Sequence, residues 1–340
     1  MLETRTTEKN SVPKSVTGKQ NPLVQFLREN LGITVGLVIL CLILVGYDIA
    51  QGRTVFLTTN NIMNVLRQVA TNLIIACGMT MVIILGGIDL SVGSVVGLSG
   101  CVTAMLIAYN DWPIAAAVCA GIFVGVISGA FNGFVISKTT IPPFIVTLAM
   151  MNIARGACYV YTNAQPIRIM SDSFNFIGSG YIADVIPVPV IYLVLVIFIS
   201  SFIMNRTKLG RHIYAVGGNA TAAIFSGIKN GRVLFFGYLF SGVMAAVSGV
   251  ILASRMFSGQ PTAGQGFELD AIAAVVLGGT SMAGGVGKIG GTVIGALIIG
   301  VLNNGLNLLN INSFWQLVVK GIVILIAVYA DFLKKQSRKI

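Results

Sequence analysis

Nine apolar runs of close to twenty residues follow one another along this chain, at about 31–50, 61–85, 92–109, 113–136, 143–161, 188–204, 232–254, 289–308 and 314–331. A helix needs ~20 apolar residues to cross the hydrocarbon core of a bilayer. Backbone at that depth must satisfy its own hydrogen bonds, so runs of this length are read as helices packed side by side. A tenth stretch, 268–277, is too short to span alone and runs into Gly278-Gly279-Thr280-Ser281-Met282-Ala283-Gly284-Gly285. Counted as a broken segment, it makes ten spans and puts both termini on one side. Only 10% of the 340 residues are charged, against ~25% in soluble domains. Glycine supplies 40 residues, a density that lets membrane helices approach closely. The expected fold is all-α: a polytopic membrane protein of about ten helices with short or broken segments. A soluble enzyme is excluded.

The 22 Lys and Arg outnumber the 11 Asp and Glu. They sit between apolar runs rather than on one polar face, which fits the positive-inside rule and not nucleic-acid binding. With the N-terminus inside, 16 cations fall on the cytoplasmic side. Five of them lie in the polar stretch 1–30, which is too long and polar for a cleaved signal peptide. Outside loops hold only Arg53, Arg168 and Arg255, while Arg67, Arg155 and Lys320 fall within spans. The expected organisation is a cytoplasmic tail over 1–30, a membrane domain over 31–332 and a cytoplasmic tail over 333–340. The five cysteines lie in apolar runs, and His212 is the single histidine. Neither a zinc site nor a disulfide framework follows, and no cofactor is expected.

Gly285-Val286-Gly287-Lys288-Ile289-Gly290 matches a dinucleotide fingerprint in spelling alone. That motif needs a strand before it and an acid about ~20 residues later. No Asp or Glu occurs between Asp270 and Asp331, and Lys288 is followed by Ile289, so a phosphate-binding loop fails too. Asn205-Arg206-Thr207 spells a glycosylation site, but on the inner side.

Gly86-Gly87-Ile88-Asp89-Leu90-Ser91-Val92-Gly93-Ser94 interrupts two spans with three glycines and an acid. Irregular backbone at membrane depth is tolerated only where it is buried in protein or lines a cavity. Asp89 is read either as lining a path or as capping the next helix near Ser91. Candidate path residues are Asn72, Asp89, Ser91, Ser94, Asn303 and Asn304; the bland reading of membrane amides, Asn132 and Asn152 included, is bonding between helices. Arg155 and Lys320 lie in the outer half, on the side of Glu268 and Asp270. They either pair there or snorkel to the interface. Arg53, Arg168 and Arg255 are candidate docking cations for an acidic partner outside.

The inside loop 205–231 carries a short helix. Gly217-Gly218 reads as a breaker, Asn219 as an N-cap, and Ala220 to Ser226 as a helix ended by Gly227. Small residues such as Ala222 and Ala223 would let another protein approach. Two internal echoes conflict. Asn132-Gly133 with Asn304-Gly305 implies inverted copies, whereas Val82–Gly87 with Val275–Gly279 implies copies of one orientation.

The stretches "GIDLSVGS" (87–94), "LGRHIYAVGGNATAAIFSGI" (209–228) and "QPTAGQGFELDAIAAVVLGGTSMAGGVGKIGGTVIGALIIGVLNNGLNLL" (260–309) resemble the membrane permeases of monosaccharide ATP-binding-cassette importers. The likeness runs from about residue 55 onward and is nearest to the ribose members; xylose, galactoside and autoinducer-2 permeases share the frame less well. It implies a homodimer in a bacterial plasma membrane, with a type II-like importer architecture. A solute-binding protein would deliver the sugar from outside, and ATPase subunits would dock beneath. By motif match, Gly210, Arg211, Tyr214, Gly217, Gly218, Asn219, Ala222, Ala223 and Gly227 would belong to the segment coupling permease to ATPase. An ion-driven carrier is the main alternative, but it would need intramembrane carboxylates, and only Asp89 qualifies.

Overall fold

The computed structural model describes residues 31–336. The tail expected over 1–30 and its five cations lie outside the described residues, as do Arg338 and Lys339. Ten helical segments match the ten apolar stretches: α1 (Leu31–Ala50), α2 (Thr59–Ile84), α3 (Val92–Ala108), α4 (Ile114–Lys138) and α5 (Pro143–Thr162), then α7 (Val188–Arg206), α10 (Asn230–Arg255), α11 (Phe267–Leu277), α12 (Ile289–Leu308) and α13 (Ser313–Gln336). Between them lie α6 (Asp172–Ser179), α8 (Lys208–Gly218) and α9 (Ala220–Phe225). Among the described residues there are also four two-residue strands: β1 (Ile167–Arg168), β2 (Tyr181–Ile182), β3 (Ile186–Pro187) and β4 (Ser258–Gly259). Helices α1, α2, α4, α5, α7, α10 and α12 are long and apolar enough to cross a membrane, and α3 and the first part of α13 are shorter apolar helices. The last helix continues four residues past the boundary expected at 332.

Helix α2 is the axis of the fold. Every residue from Val69 to Ile84 is buried. Its neighbour α10 buries a small-residue face, and α4 lays Gly125, Gly129 and Gly133 against it, so that the two backbones nearly touch, while Gly121 lies against Thr103 and Ser99 of α3. Such close approach is how membrane helices gain dispersion energy without a hydrophobic driving force. By contrast α1 has no buried residue, as suits a peripheral helix in lipid.

The loops sort into two sets. Strand β1 pairs antiparallel with β4, and Tyr109, Asp111 and Trp112 share a cleft with Arg168. Arg53 and Phe56 line a small pocket with Leu308 and Leu309. At the opposite end the Gly285 amide donates to Ile84 (2.8 Å), and the Tyr214 hydroxyl donates to the Gly287 carbonyl (2.8 Å). Alternating loops therefore meet at opposite ends, as ten successive crossings require.

Helix α11 has 11 residues, which at 1.5 Å each is about 16 Å, half of the ~30 Å core. Its N-terminal end and the part of the strap that leads into it, 260–266, therefore lie at membrane depth. Arg155 fastens that strap, donating to the carbonyls of Pro261, Ala263 (2.9 Å) and Gly93 (3.3 Å). Of the two readings open from sequence, pairing with a carboxylate or snorkelling, Arg155 follows neither, because carbonyls satisfy a planar donor fork equally well where backbone has lost its own ladder.

The echo between Val82–Gly87 and Val275–Gly279 is a shared way of ending a helix. In α2, Gly86 at φ +83° donates to Ile83 and Gly87 donates to Val82. In α11, Gly279 at φ +83° donates to Val276 and Thr280 donates to Val275. Both helices close with the same two bonds and the same left-handed glycine.

Candidate functional site

The six path residues separate into three groups and one isolated serine. In the first group Asp89, 0% exposed, holds the turn between α2 and α3. Its Oδ1 accepts from the backbone N–H (3.0 Å) and hydroxyl (2.6 Å) of Ser91, and its Oδ2 from the hydroxyl of Ser241 in α10 (2.8 Å). Asn132 of α4 donates to Ser91 Oγ (3.0 Å). The carboxylate thus closes a local turn and ties it to two helices. The N-cap of α3 is Ser91 itself, whose side chain makes no cap bond.

The second group surrounds Asp270 on the first turn of α11. Lys320 of α13 donates to its Oδ2 at 3.0 Å. Asn72 of α2 and Asn303 of α12 direct their amide nitrogens at the same oxygen, 3.4 and 3.5 Å away. Lys320 pairs rather than snorkels, because burying Asp270 without a cation would be the costlier arrangement. The third group is a reciprocal amide pair: Asn61 donates to Asn304 (3.0 Å) and Asn304 to Asn61 (2.8 Å). Ser94 is buried one residue after Gly93.

At the other end of α2 lies the segment 205–231. Thr207 caps α8 by accepting from the Gly210 amide (3.2 Å), and Asn219 caps α9 by accepting from Ala222 (2.9 Å). The break falls at Asn219 rather than at Gly217-Gly218, which are the last two residues of α8. Gly217 is small for a different reason: a Cβ there would collide with the Ile84 carbonyl and the Gly285 amide. Tyr214 is half-buried on α8, and burial raises its hydroxyl above the ordinary tyrosine pKa. Ala223 is buried against its own subunit, so it offers no surface to a partner. The outward apolar surface belongs to Ile224 and Phe225, the latter 87% exposed.

A helical membrane domain with a broken α11 and a basic helical segment at one end is what a solute permease presents. Residues 61–328 match the family described as branched-chain amino acid transport system / permease component. The chain belongs to this permease family. It is a multi-pass membrane transport protein rather than an enzyme. The permease is 50% identical over 305 residues to the ribose import permease of Bacillus subtilis (strain 168), covering 89% of this chain and 92% of that one. It is 46% identical over 280 residues to the ribose import permease of Escherichia coli (strain K12), covering 81% and 87%. The D-allose transport system permease of Escherichia coli (strain K12) is 43% identical over 277 residues, 81% and 84% of the two chains. No solved structure matches it.

The permease carries Arg53 and Arg168 exposed and Arg255 half-buried at the end shared by β1 and β4. Arg67 joins that end, 4.4 Å over the Tyr181 ring and donating to the Ser179 carbonyl (3.4 Å). Sequence reading missed Asn61 and Ser241 as partners of the buried groups. Asn61 lies 243 positions from Asn304 and Ser241 lies 152 from Asp89, so no local pattern announces them.

Proposed function

We propose that this permease moves ribose into the cytoplasm as the membrane subunit of an ATP-binding-cassette importer. The observation that carries the reading is the 50% identity to a ribose import permease across nearly the whole of both chains. Two copies form the conduit, a binding protein delivers the sugar from outside, and separate ATPase subunits supply the energy. The 16 cations assigned inside against three outside support a topology with both termini on the cytoplasmic side of a bacterial plasma membrane.

Residues 209–228 are the coupling segment in this reading. Ile224 and Phe225 enter a groove on the ATPase, and Gly210, Arg211, Tyr214, Gly217, Gly218, Asn219, Ala222 and Gly227 shape the segment that presents them. Movement of α8 reaches the membrane domain through Gly217 against the end of α2, and through Tyr214 against the strap of 278–288. Spans then rock between outward- and inward-facing states. Ser94, Asn72, Asn303 and Asn304 belong to the polar lining, while Asp89 and Ser91 hold the turn between α2 and α3. Because the binding protein supplies selectivity, a weak lining is sufficient. Arg53, Arg168 and Arg255 meet acidic groups of the binding protein, where rim charges act mainly on association rate.

The test is uptake of labelled ribose, allose and xylose by sealed vesicles holding the permease with its ATPase and binding protein. Ribose should be taken up fastest. Faster allose uptake would move the assignment to a hexose, and absence of uptake of any sugar would defeat it.

A further inference from the structure

The Asp270 group has a property that packing does not explain. A carboxylate oxygen can only accept, so it draws the NH2 ends of Asn72 and Asn303 and turns both amide oxygens away. Those two oxygens, Asn72 Oδ1 and Asn303 Oδ1, are buried without a partner, in side chains only 8% and 3% exposed. Rotating either amide by a half-turn would set its oxygen against the carboxylate. The orientation is therefore fixed by Asp270 rather than chosen freely. Most buried polar groups in folded proteins are bonded, so two orphaned acceptors beside one carboxylate call for an explanation.

We propose that Asn72 and Asn303 form a contact for the hydroxyls of the carried sugar, with Asp270 and Lys320 as the positioning residues that hold the two amide oxygens ready. The inference rests on the sugar-import reading above and adds a contact within it. Two oriented acceptors on α2 and α12 match a neutral ligand rich in O–H donors. A carboxylate ligand would be repelled, and a cationic one would compete with Lys320 for Asp270. Location agrees with chemistry: the group sits where broken α11 begins within the membrane, and discontinuous helices are where transporter sites are built. In the state described, the oxygens are sealed; the contact forms when α11 and α12 part from α2 during the transport cycle.

The experiment compares uptake of ribose with that of its 2-deoxy and 3-deoxy forms by vesicles holding the full complex, for wild type, Asn72→Ala and Asn303→Ala. The binding protein's own preference enters every permease alike and cancels from the ratio. Each variant should lose about three- to tenfold in ribose uptake. It should lose nothing for the deoxy sugar lacking the matching hydroxyl, so that preference collapses. A uniform loss for all sugars, or none, would overturn the proposal. If the alanine variants fail to insert, Asn303→Cys in a background without the five native cysteines gives a second readout. A small charged thiol reagent should label it only during ATP turnover, more slowly with ribose present. Labelling in no state would mean that the site stays closed throughout the cycle, which also overturns the proposal. Loss of wild-type ribose uptake would instead count against the import reading itself.

Discussion

Asp89 and Asp270 are both buried carboxylates beside broken helices, yet they are held in opposite ways. Asp89 takes neutral donors, two from Ser91 in its own turn and one from Ser241. Asp270 takes a lysine 50 positions away and faces amides 198 and 33 positions away. The first fastens a local bend to the central helices. The second gathers α2, α11, α12 and α13 around one charge, and leaves two acceptors unspent. An identical residue type therefore serves closure in one place and, in the proposal above, recognition in the other.

Asp-to-Asn substitution at the two positions should separate these roles. Asp270→Asn strands Lys320 and should cost about 3 kcal/mol, the low end for a broken buried pair because Lys320 can turn partly outward. Thermal unfolding in detergent would register the loss, and adding Lys320→Met should recover most of it. A loss smaller than that of Asp89→Asn would break the distinction. Gly217→Ala comes next, at about 2 kcal/mol, because its new methyl must displace the end of α2. ATP hydrolysis in the complex should persist while uptake falls; parallel loss of both would argue against a joint at Gly217.

Asp89→Asn should cost only about 1 kcal/mol, since an amide oxygen still accepts from Ser91 and the Ser241 hydroxyl can turn to accept in its place. Phe225→Glu should change stability least, by under about 0.5 kcal/mol, as an exposed substitution. It should nonetheless abolish ATPase binding in a pull-down from detergent. Retained binding would remove Phe225 from the coupling surface.

The ten segments, the short α11 and the cap at Asn219 illustrate what sequence carries well and badly. Apolar length sets the spans directly, and Asn219 with Gly227 mark α9 because capping is decided by residues within one turn. Gly217-Gly218 misled because glycine reads as a breaker, whereas Gly217 is needed for close approach to Ile84. Ala223 looked available and is buried, since a helix of six residues shows too little periodicity to fix its inner face. Pairing of Lys320 on the side of Glu268 and Asp270 was legible as one of two readings, but the amides and hydroxyls that meet each carboxylate were not. Asn303 and Asn304 are adjacent in sequence and belong to different groups, because successive helical residues point to different faces.

The most direct test is the energy source of uptake. Vesicles loaded with ATP, holding permease and ATPase and given binding protein outside, should accumulate ribose, and should do so unchanged when ionophores collapse every ion gradient. Accumulation without ATP that ionophores abolish would contradict ATP-driven import and identify an ion-coupled carrier instead.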